Sequence, residues 1–277
     1  MKTSIYRLTL IFILFISTKH FSQSSNDWFL LPDGLGFSNQ LEYSFNIENK
    51  IEILENWLNL DYNKNIFSAG LRFEVFQPND PDPSISRGKV KYADIAYKYI
   101  GVDISDVEEG LNITVGNFYE LFGRGLVLKS YEDRNIRIDN NLLGVKVEGN
   151  YKGFTLTALS GSAANINNER QDILHAADLQ YNGFDFIKLG TTFASNLPPI
   201  DGIARTTLAS MRMQPSIWNF DGYAEYGIKS NKDIQSQIFN DDEWNIGEAF
   251  YGSLNFYYDV FSIVGEYKYY DNYAFTS

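Results

Sequence analysis

The sequence contains no cysteine among its 277 residues. Structural disulfides, thiolate metal sites and the lipid-modified N-terminal cysteine of bacterial lipoproteins are therefore excluded. Long hydrophobic runs are also missing, because no stretch after residue 23 approaches the roughly 20 apolar residues that a membrane-spanning helix needs.

Positive charge is scarce as well. The chain has 23 Lys and Arg against 35 Asp and Glu, which gives a formal net charge of −12. Such a concentrated negative field argues against binding to nucleic acid and to anionic lipid surfaces. The mean hydropathy of −0.26 does not separate a water-soluble β-protein from a membrane barrel, since half of each barrel strand is polar.

The N-terminus predicts a secretory signal peptide over residues 1–23, followed by a short segment over 24–35. Lys2 and Arg7 provide the positive start, and Leu8–Ile16 provides an apolar stretch that is too short to span a bilayer. An N-terminal anchor is the alternative. Cleavage near Ser22 would remove three basic residues and no acids, and so move the formal charge from −12 to −15.

Aromatic residues are abundant, with 19 Tyr and 21 Phe, and four short turns are flanked by them. Between these turns the connections are long, polar and acidic. Short turns with aromatic rings that alternate with long loops are typical of an outer-membrane barrel, whose rings sit at the membrane–water boundary. The four turns are 62–67, 151–154, 181–184 and 258–261.

Alternation of polar and apolar residues predicts thirteen strands over residues 36–277. The segment 36–47 alternates over about twelve residues, longer than an average globular strand and long enough to cross a bilayer. Asn182–Gly183 and Gln214–Ser216 are predicted as hairpin turns, and Tyr97 and Tyr99 as outward-facing. The predicted strands are 36–47, 57–62, 67–75, 89–100, 111–117, 142–151, 154–160, 173–181, 185–195, 206–213, 217–229, 248–258 and 260–270.

The connections follow a parity, because short turns come after even-numbered strands and long segments after odd-numbered ones. A β-sandwich shows no such parity. The prediction is an all-β fold, an antiparallel transmembrane β-barrel. Single-chain bacterial barrels close with an even number of strands, so an odd count predicts a C-terminally truncated barrel of at least fourteen.

The longest irregular connection, Asn117–Asn141, carries many charges. It could fold into the lumen and form a constriction that sets selectivity, or it could extend a hairpin above the membrane with solvated charges. Mixed charges on the inward strand faces indicate either a water-filled channel or a packed polar lumen. At fourteen or more strands the lumen is too wide for side chains to fill alone, so a channel is expected unless a loop plugs it. The candidate constriction and lumen residues are Glu120, Arg124, Lys129, Glu132, Asp133, Arg134, Arg137, Arg72 and Glu74.

The runs Gly116–Leu126 and Tyr131–Arg134 resemble a family of uncharacterised porin-like outer-membrane proteins of Bacteroidota. The strand pattern is similar from about Phe37 onward. The resemblance implies an outer-membrane barrel and carries no catalytic or ligand-binding assignment.

Other chemistry has weak support. The acidic clusters at 80–82, 106–109 and 241–243 lack the spacing of a calcium loop and are interpreted as solvated loops. Such loops could also share divalent cations with lipopolysaccharide phosphates. His175 falls on the outward face, with Ser160 across the connection that precedes its strand, and a hydrolase would need a converging triad. We therefore predict no catalytic residue, no metal, no cofactor and no enzyme activity.

These observations predict a porin-like channel for small polar solutes or ions in the outer membrane of a Gram-negative bacterium. The alternative is a non-conducting barrel that serves as scaffold for a secretion or surface-polysaccharide system. A soluble secreted β-protein would have to bury the outward aromatic rows elsewhere. The expected partners are outer-membrane lipid, lipopolysaccharide and small polar solutes, without nucleic acid.

Overall fold

The computed structural model describes residues 32–47, 50–78, 92–106, 109–134, 138–164, 170, 172–197, 205–232 and 244–273. The predicted signal peptide lies outside the described residues. The chain divides into two compact units, residues 1–101 and 102–277. None of the described residues forms a helix long and apolar enough to cross a membrane.

Fifteen β-strands are formed, and thirteen of them make one antiparallel sheet in chain order, while β6 and β7 pair only with each other. The all-β antiparallel prediction is confirmed. The bounds are β1 Leu35–Asn46, β2 Ile51–Lys64, β3 Phe67–Pro78, β4 Tyr92–Ser105, β5 Glu109–Phe118, β6 Glu132–Asp133, β7 Ile138–Asp139, β8 Leu142–Tyr151, β9 Phe154–Ala163, β10 Ile173–Tyr181, β11 Ile187–Leu197, β12 Thr207–Ile217, β13 Phe220–Lys232, β14 Trp244–Tyr258 and β15 Phe261–Asp271.

The alternation of connection lengths is confirmed except at the first connection, because β2 begins at Ile51 instead of the predicted residue 57 and only residues 47–50 separate it from β1. Short connections follow β2, β8, β10, β12 and β14, and long ones follow β3, β5, β9, β11 and β13. In the β8–β9 hairpin, Lys152 and Gly153 have φ of 47° and 83°, as the twist of a two-residue turn requires.

In the first unit, β1, β2 and β3 pair in antiparallel register. The prediction that Tyr97 and Tyr99 face outward is wrong. The Tyr99 ring covers Gly70, where an added Cβ would lie 2.1 Å from the ring, and the Tyr97 ring centroid lies 5.5 Å from the Arg72 guanidinium carbon. Gly70 and Arg72 lie on the inner face of β3, so the space above a glycine and the charge beside it draw both rings inward.

In the second unit, β5 and β8–β15 pair with their neighbours in antiparallel register. On β9, β10 and β12 side chains alternate between a buried inner face and a more exposed outer face, whereas every residue of β15 is exposed. On β10, for example, Leu174, Ala176 and Asp178 are buried, whereas His175 and Leu179 are exposed. This is the period of two that the sequence predicted.

One predicted turn is longer than expected and another is displaced. Asn182 and Gly183 do lie in the hairpin between β10 and β11, but the connection spans residues 182–186, and the Tyr181 ring folds over Gly183 and packs against Phe184 at 5.1 Å between centroids. Strand β12 continues through Pro215 to Ile217, so the turn lies at residues 218–219. Proline lacks an N–H for the sheet, but Pro215 lies near the hairpin end of the strand, where this is tolerated.

Candidate constriction site

The connection between β5 and β6 folds back onto the inner face of the second unit. We call residues 118–131 the docked loop. Its buried apolar side chains are Phe118, Phe122, Val127 and Leu128, of which the first two are only 3% exposed. They form one cluster with inner-face residues of β8, β9, β10, β11, β12 and β14, and with Tyr273 after β15. These residues are Leu142, Leu159, Leu174, Ala176, Ala194, Leu208, Ala249 and Tyr273.

Backbone hydrogen bonds make the docked loop a compact turn. The Phe122 N–H donates to the Leu128 carbonyl at 3.1 Å, and the Ser130 N–H donates to the Glu120 carbonyl at 2.8 Å. Gly125 has φ of 81°, and its N–H donates to the Phe122 carbonyl at 2.8 Å. The left-handed conformation at Gly125 closes the turn, and glycine adopts it without strain.

Arg170 fastens the base of the loop. Its Nη1 donates to the backbone carbonyls of Asn141 and Ser162 at 3.0 and 2.5 Å, and its Nη2 donates to Asn141 Oδ1 at 2.6 Å. Asn117 Nδ2 donates to the same Asn141 oxygen at 2.7 Å. Burial lowers the pKa of the Arg170 guanidinium, and the negative charge of Asp139 opposes that shift.

The tip of the loop sits on Glu225 of β13, whose side chain is fully buried. Glu225 Oε1 accepts from Ser210 Oγ at 2.8 Å. Its Oε2 accepts from the Arg124 backbone N–H at 3.2 Å and from the Tyr223 hydroxyl. Gly123 has φ of 57°, and a Cβ there would lie 2.7 Å from Glu225 Oε2. The absence of a side chain at Gly123 is therefore what allows the tip to approach the carboxylate.

The Arg124 side chain lies over two tyrosine rings. Its guanidinium carbon is 5.2 Å from the Tyr223 centroid and 5.8 Å from the Tyr251 centroid, within the range of cation–π attraction. Lys268 Nζ lies 5.4 Å from the centroid of the same Tyr251 ring and 3.1 Å from Glu266 Oε2. Two cations thus share one aromatic platform.

Deeper in the sheet, Arg212 of β12 reaches across β11 to Asp178 of β10. The Arg212 guanidinium donates to both Asp178 oxygens, at 2.6 and 2.7 Å, and to Thr192 Oγ1 at 2.8 Å. A Cβ on Gly190 would lie 2.5 Å from the guanidinium carbon, so the crossing requires glycine there. Bidentate pairs of this kind combine strength with fixed geometry.

Residues 5–277 match the model of DUF6029, a family of unknown function. The chain belongs to this family. No curated protein matches the sequence. Two solved structures are similar to this DUF6029 chain. OmpTdeltaL8, a loop L8 deletion mutant of OmpT, an outer membrane protein of Vibrio cholerae, is 10% identical with a TM-score of 0.46, over 88% of this chain and 82% of that one. Salmonella typhi OmpF in complex with daunomycin is 9% identical with a TM-score of 0.40, over 85% of this chain and 87% of that one.

The predicted site residues of this DUF6029 chain fall into three groups. Glu120 and Arg124 lie at the inner face, where Glu120 Oε2 is 3.0 Å from Lys146 Nζ. Lys129 lies 4.5 Å from the Tyr131 centroid, and Glu132, Asp133 and Arg134 belong to the small β6–β7 hairpin, with Glu132 paired to Arg134 at 2.8 Å. Arg72 and Glu74 pair at 2.7 Å in the first unit. Arg137 lies outside the described residues.

The residues of the site that the sequence did not predict include Arg170, Arg212, Tyr223 and Tyr251. A signal for Arg212 was present, because it lies between Met211 and Met213 in a strand, so the alternation places its charge on the face opposite both methionines. The tyrosines gave no comparable signal, since tyrosine occurs on both faces of these strands.

His175 lies directly opposite Ser160 on the outer face of the sheet, in the pairing of β10 with β9. The prediction that the chain is not an enzyme stays a prediction. No group of three or more potential metal ligands occurs among the described residues, and the acidic clusters at 80–82 and 241–243 lie outside them.

Proposed function

We propose that this chain is an outer-membrane protein of a Gram-negative bacterium and acts as a porin-like channel for small polar solutes or ions. The docked loop would be its constriction. The observation that carries the proposal is the seat of the loop tip, where Gly123 and Arg124 lie on the polar inner face against Glu225 and Tyr223. A segment that narrows a water-filled lumen and lines it with charge sets size and charge selectivity.

The outer face supports a membrane location. Its side chains are large, apolar and exposed, for example Phe193 at 49%, Met211 at 73% and Leu254 at 54%. In water such a continuous face would be an aggregation liability, whereas lipid would cover it. The short turns add exposed aromatics, among them Trp218 at 95% and Phe261 at 69%, as expected at a membrane boundary. The same proposal includes outer-membrane lipid and lipopolysaccharide as partners of the chain. It also includes an affiliation with the porin-like proteins of Bacteroidota.

A second candidate function is the non-conducting scaffold for a secretion or surface-polysaccharide system. The apolar side of the docked loop favours it, because Phe118 and Phe122 are only 3% exposed and belong to one buried cluster with Leu142 of β8. A loop held by an apolar core could fill a lumen instead of narrowing it.

The absence of native cysteine allows a sharp test in planar lipid bilayers. The Arg124→Cys variant would be refolded, checked for heat-modifiable migration, and treated with a charged thiol reagent during recording. We expect stepwise currents that fall after modification. The control is His175→Cys on the outer face, where modification should leave the current unchanged.

Two outcomes would contradict the proposal. If folded wild-type protein gives no current, the channel function is wrong and the scaffold becomes the leading function. Currents that are indifferent to modification at position 124 would show that solutes do not pass the docked loop, so the constriction would be wrong.

A further inference from the structure

The charges around the tip of the docked loop are not equally available to a solute. Asp178, Glu120 and Glu266 are each engaged by a basic side chain. Glu225 is fully buried and accepts hydrogen bonds from Ser210, Tyr223 and the Arg124 backbone. The carboxylates of this region are therefore paired or shielded from water.

Arg124 differs from all of them. Its side chain is exposed, and no carboxylate of the described residues forms an ion pair with its guanidinium. Its described guanidinium contacts are the two tyrosine rings, which leave the planar edge with its N–H donors unused. The accessible charge at the tip is thus positive, although the whole chain carries −12.

The Arg124 guanidinium rests on two tyrosine rings before any solute arrives, and the backbone that carries it is anchored as well. The Arg124 N–H is bonded to a buried carboxylate, and glycines with positive φ flank it at positions 123 and 125. A donor that is already held in place loses little conformational entropy on binding. Lys268, near the same Tyr251 ring, is a second cation at this place, and it is half-exposed although Glu266 pairs with it at 3.1 Å.

We propose that Arg124, assisted by Lys268, forms a binding station for small solutes that carry an oxyanion, either a carboxylate or a phosphate. The forked N–H donors of arginine match the paired oxygens of such groups, and a lysine ammonium adds a point charge. This inference rests on the proposed channel function and names the solute class that the constriction would favour.

The test measures two quantities on the same folded protein. Bilayer recordings in a KCl gradient give the reversal potential, and succinate or inorganic phosphate is added in separate arms to measure the concentration that blocks half of the current. The variants are Arg124→Gln and Arg124→Lys. The matched control is Arg205→Gln, which removes an exposed arginine from the β11–β12 connection, away from the residues of the docked loop.

For wild type we expect block by at least one of the two anions at concentrations where chloride alone gives none. Arg124→Gln should raise the half-blocking concentration about tenfold, the factor expected for losing a charge-assisted hydrogen bond. Arg124→Lys should keep the reversal potential but weaken the block, because the charge remains and the fork is lost. Arg205→Gln should behave as wild type.

Block by succinate alone or by phosphate alone would identify which oxyanion the station takes. Stable currents with no block by either anion would overturn this inference and leave the channel intact. An equal loss of block in Arg205→Gln would also overturn it, since a general field effect would then explain the result. Calorimetric titration of the solubilised protein with both anions reports binding even if the folded protein passes no current, so failure of the channel is distinguishable from failure of the station.

Discussion

Both units bury one arginine–carboxylate pair on the inner face, but they cover it differently. In the first unit Arg72 and Glu74 lie two positions apart on β3, with side chains 7% and 12% exposed, beside the Tyr97 ring. In the second unit Arg212 and Asp178 lie on β12 and β10, with side chains 3% and 10% exposed. Similar burial is thus reached by a local pair among aromatic rings and by a pair that crosses three strands.

The difference shows what holds each face together. The Arg72–Glu74 pair can form as soon as β3 is extended, since the residues at i and i+2 share a face. The Arg212–Asp178 pair requires correct register of three strands and a glycine at position 190. The second pair therefore depends on the sheet as a whole, and damage to it should be more costly.

The largest effect is expected for Asp178→Asn. This change leaves Arg212 buried with an amide in place of a bidentate carboxylate, and breaking a buried pair from one side costs about 3–5 kcal/mol. Urea unfolding of the refolded protein in detergent would measure the loss. The exposed pair of Glu266 with Lys268 provides the control, and Glu266→Gln should unfold like wild type.

Glu74→Gln probes the corresponding pair of the first unit, and we expect a smaller loss of about 1–3 kcal/mol. The Tyr97 ring remains over the Arg72 guanidinium and continues to stabilise its charge. The same urea titration applies. A loss as large as that of Asp178→Asn would show that the aromatic cover contributes nothing and would remove the contrast between the units.

Gly123→Ala tests whether the docked loop is fastened by its tip. An alanine at φ of 57° costs about 1–2 kcal/mol, and its Cβ would collide with Glu225 Oε2 and the Tyr223 hydroxyl. We expect the loop to leave its seat, so that trypsin cleaves at Arg124 or Lys129 faster than in wild type. Gly265→Ala is the matched control, because nothing lies within 4 Å of a Cβ there. Equal cleavage in both variants would argue against a glycine-dependent seat.

The smallest effect concerns the pH dependence of stability. Burial and the negative charge of Glu225 raise the pKa of the Tyr273 phenol above its ordinary value. The folded state therefore keeps this proton after the unfolded chain has lost it. The contribution of Tyr273 to the free energy of unfolding is complete below about pH 10 and declines as pH rises above that value. Tyr273→Phe should flatten the decline, as measured by unfolding at a series of alkaline pH values. If stability declines with pH as steeply in Tyr273→Phe as in wild type, other tyrosines cause most of the decline.

Much of the fold could be predicted because the alternation that defines a strand is local. The predicted strands 142–151 and 173–181 have the same bounds as β8 and β10. Face assignment failed in β4, because Tyr97 and Tyr99 look like lipid-facing residues and only Gly70 and Arg72 on the next strand explain their direction.

The candidate site was harder to predict. The charges of the segment 117–141 marked it as a candidate, but its seat is formed with Glu225, which lies 101 positions from Arg124. Which of the two proposed loop arrangements forms depends on side chains brought together by six strands. No pattern within the loop contains that information.

The chain-order pairing of the sheet has a consequence for how the molecule assembles. Each strand bonds to neighbours that are close in sequence, so hairpins can form early, with little loop entropy to overcome. The tip of the docked loop can bind Glu225 only after β13 has been synthesised and has paired in the sheet. Its seating would then be one of the last folding events of the second unit, and protection of the Arg124 amide from hydrogen exchange would report that this step is complete.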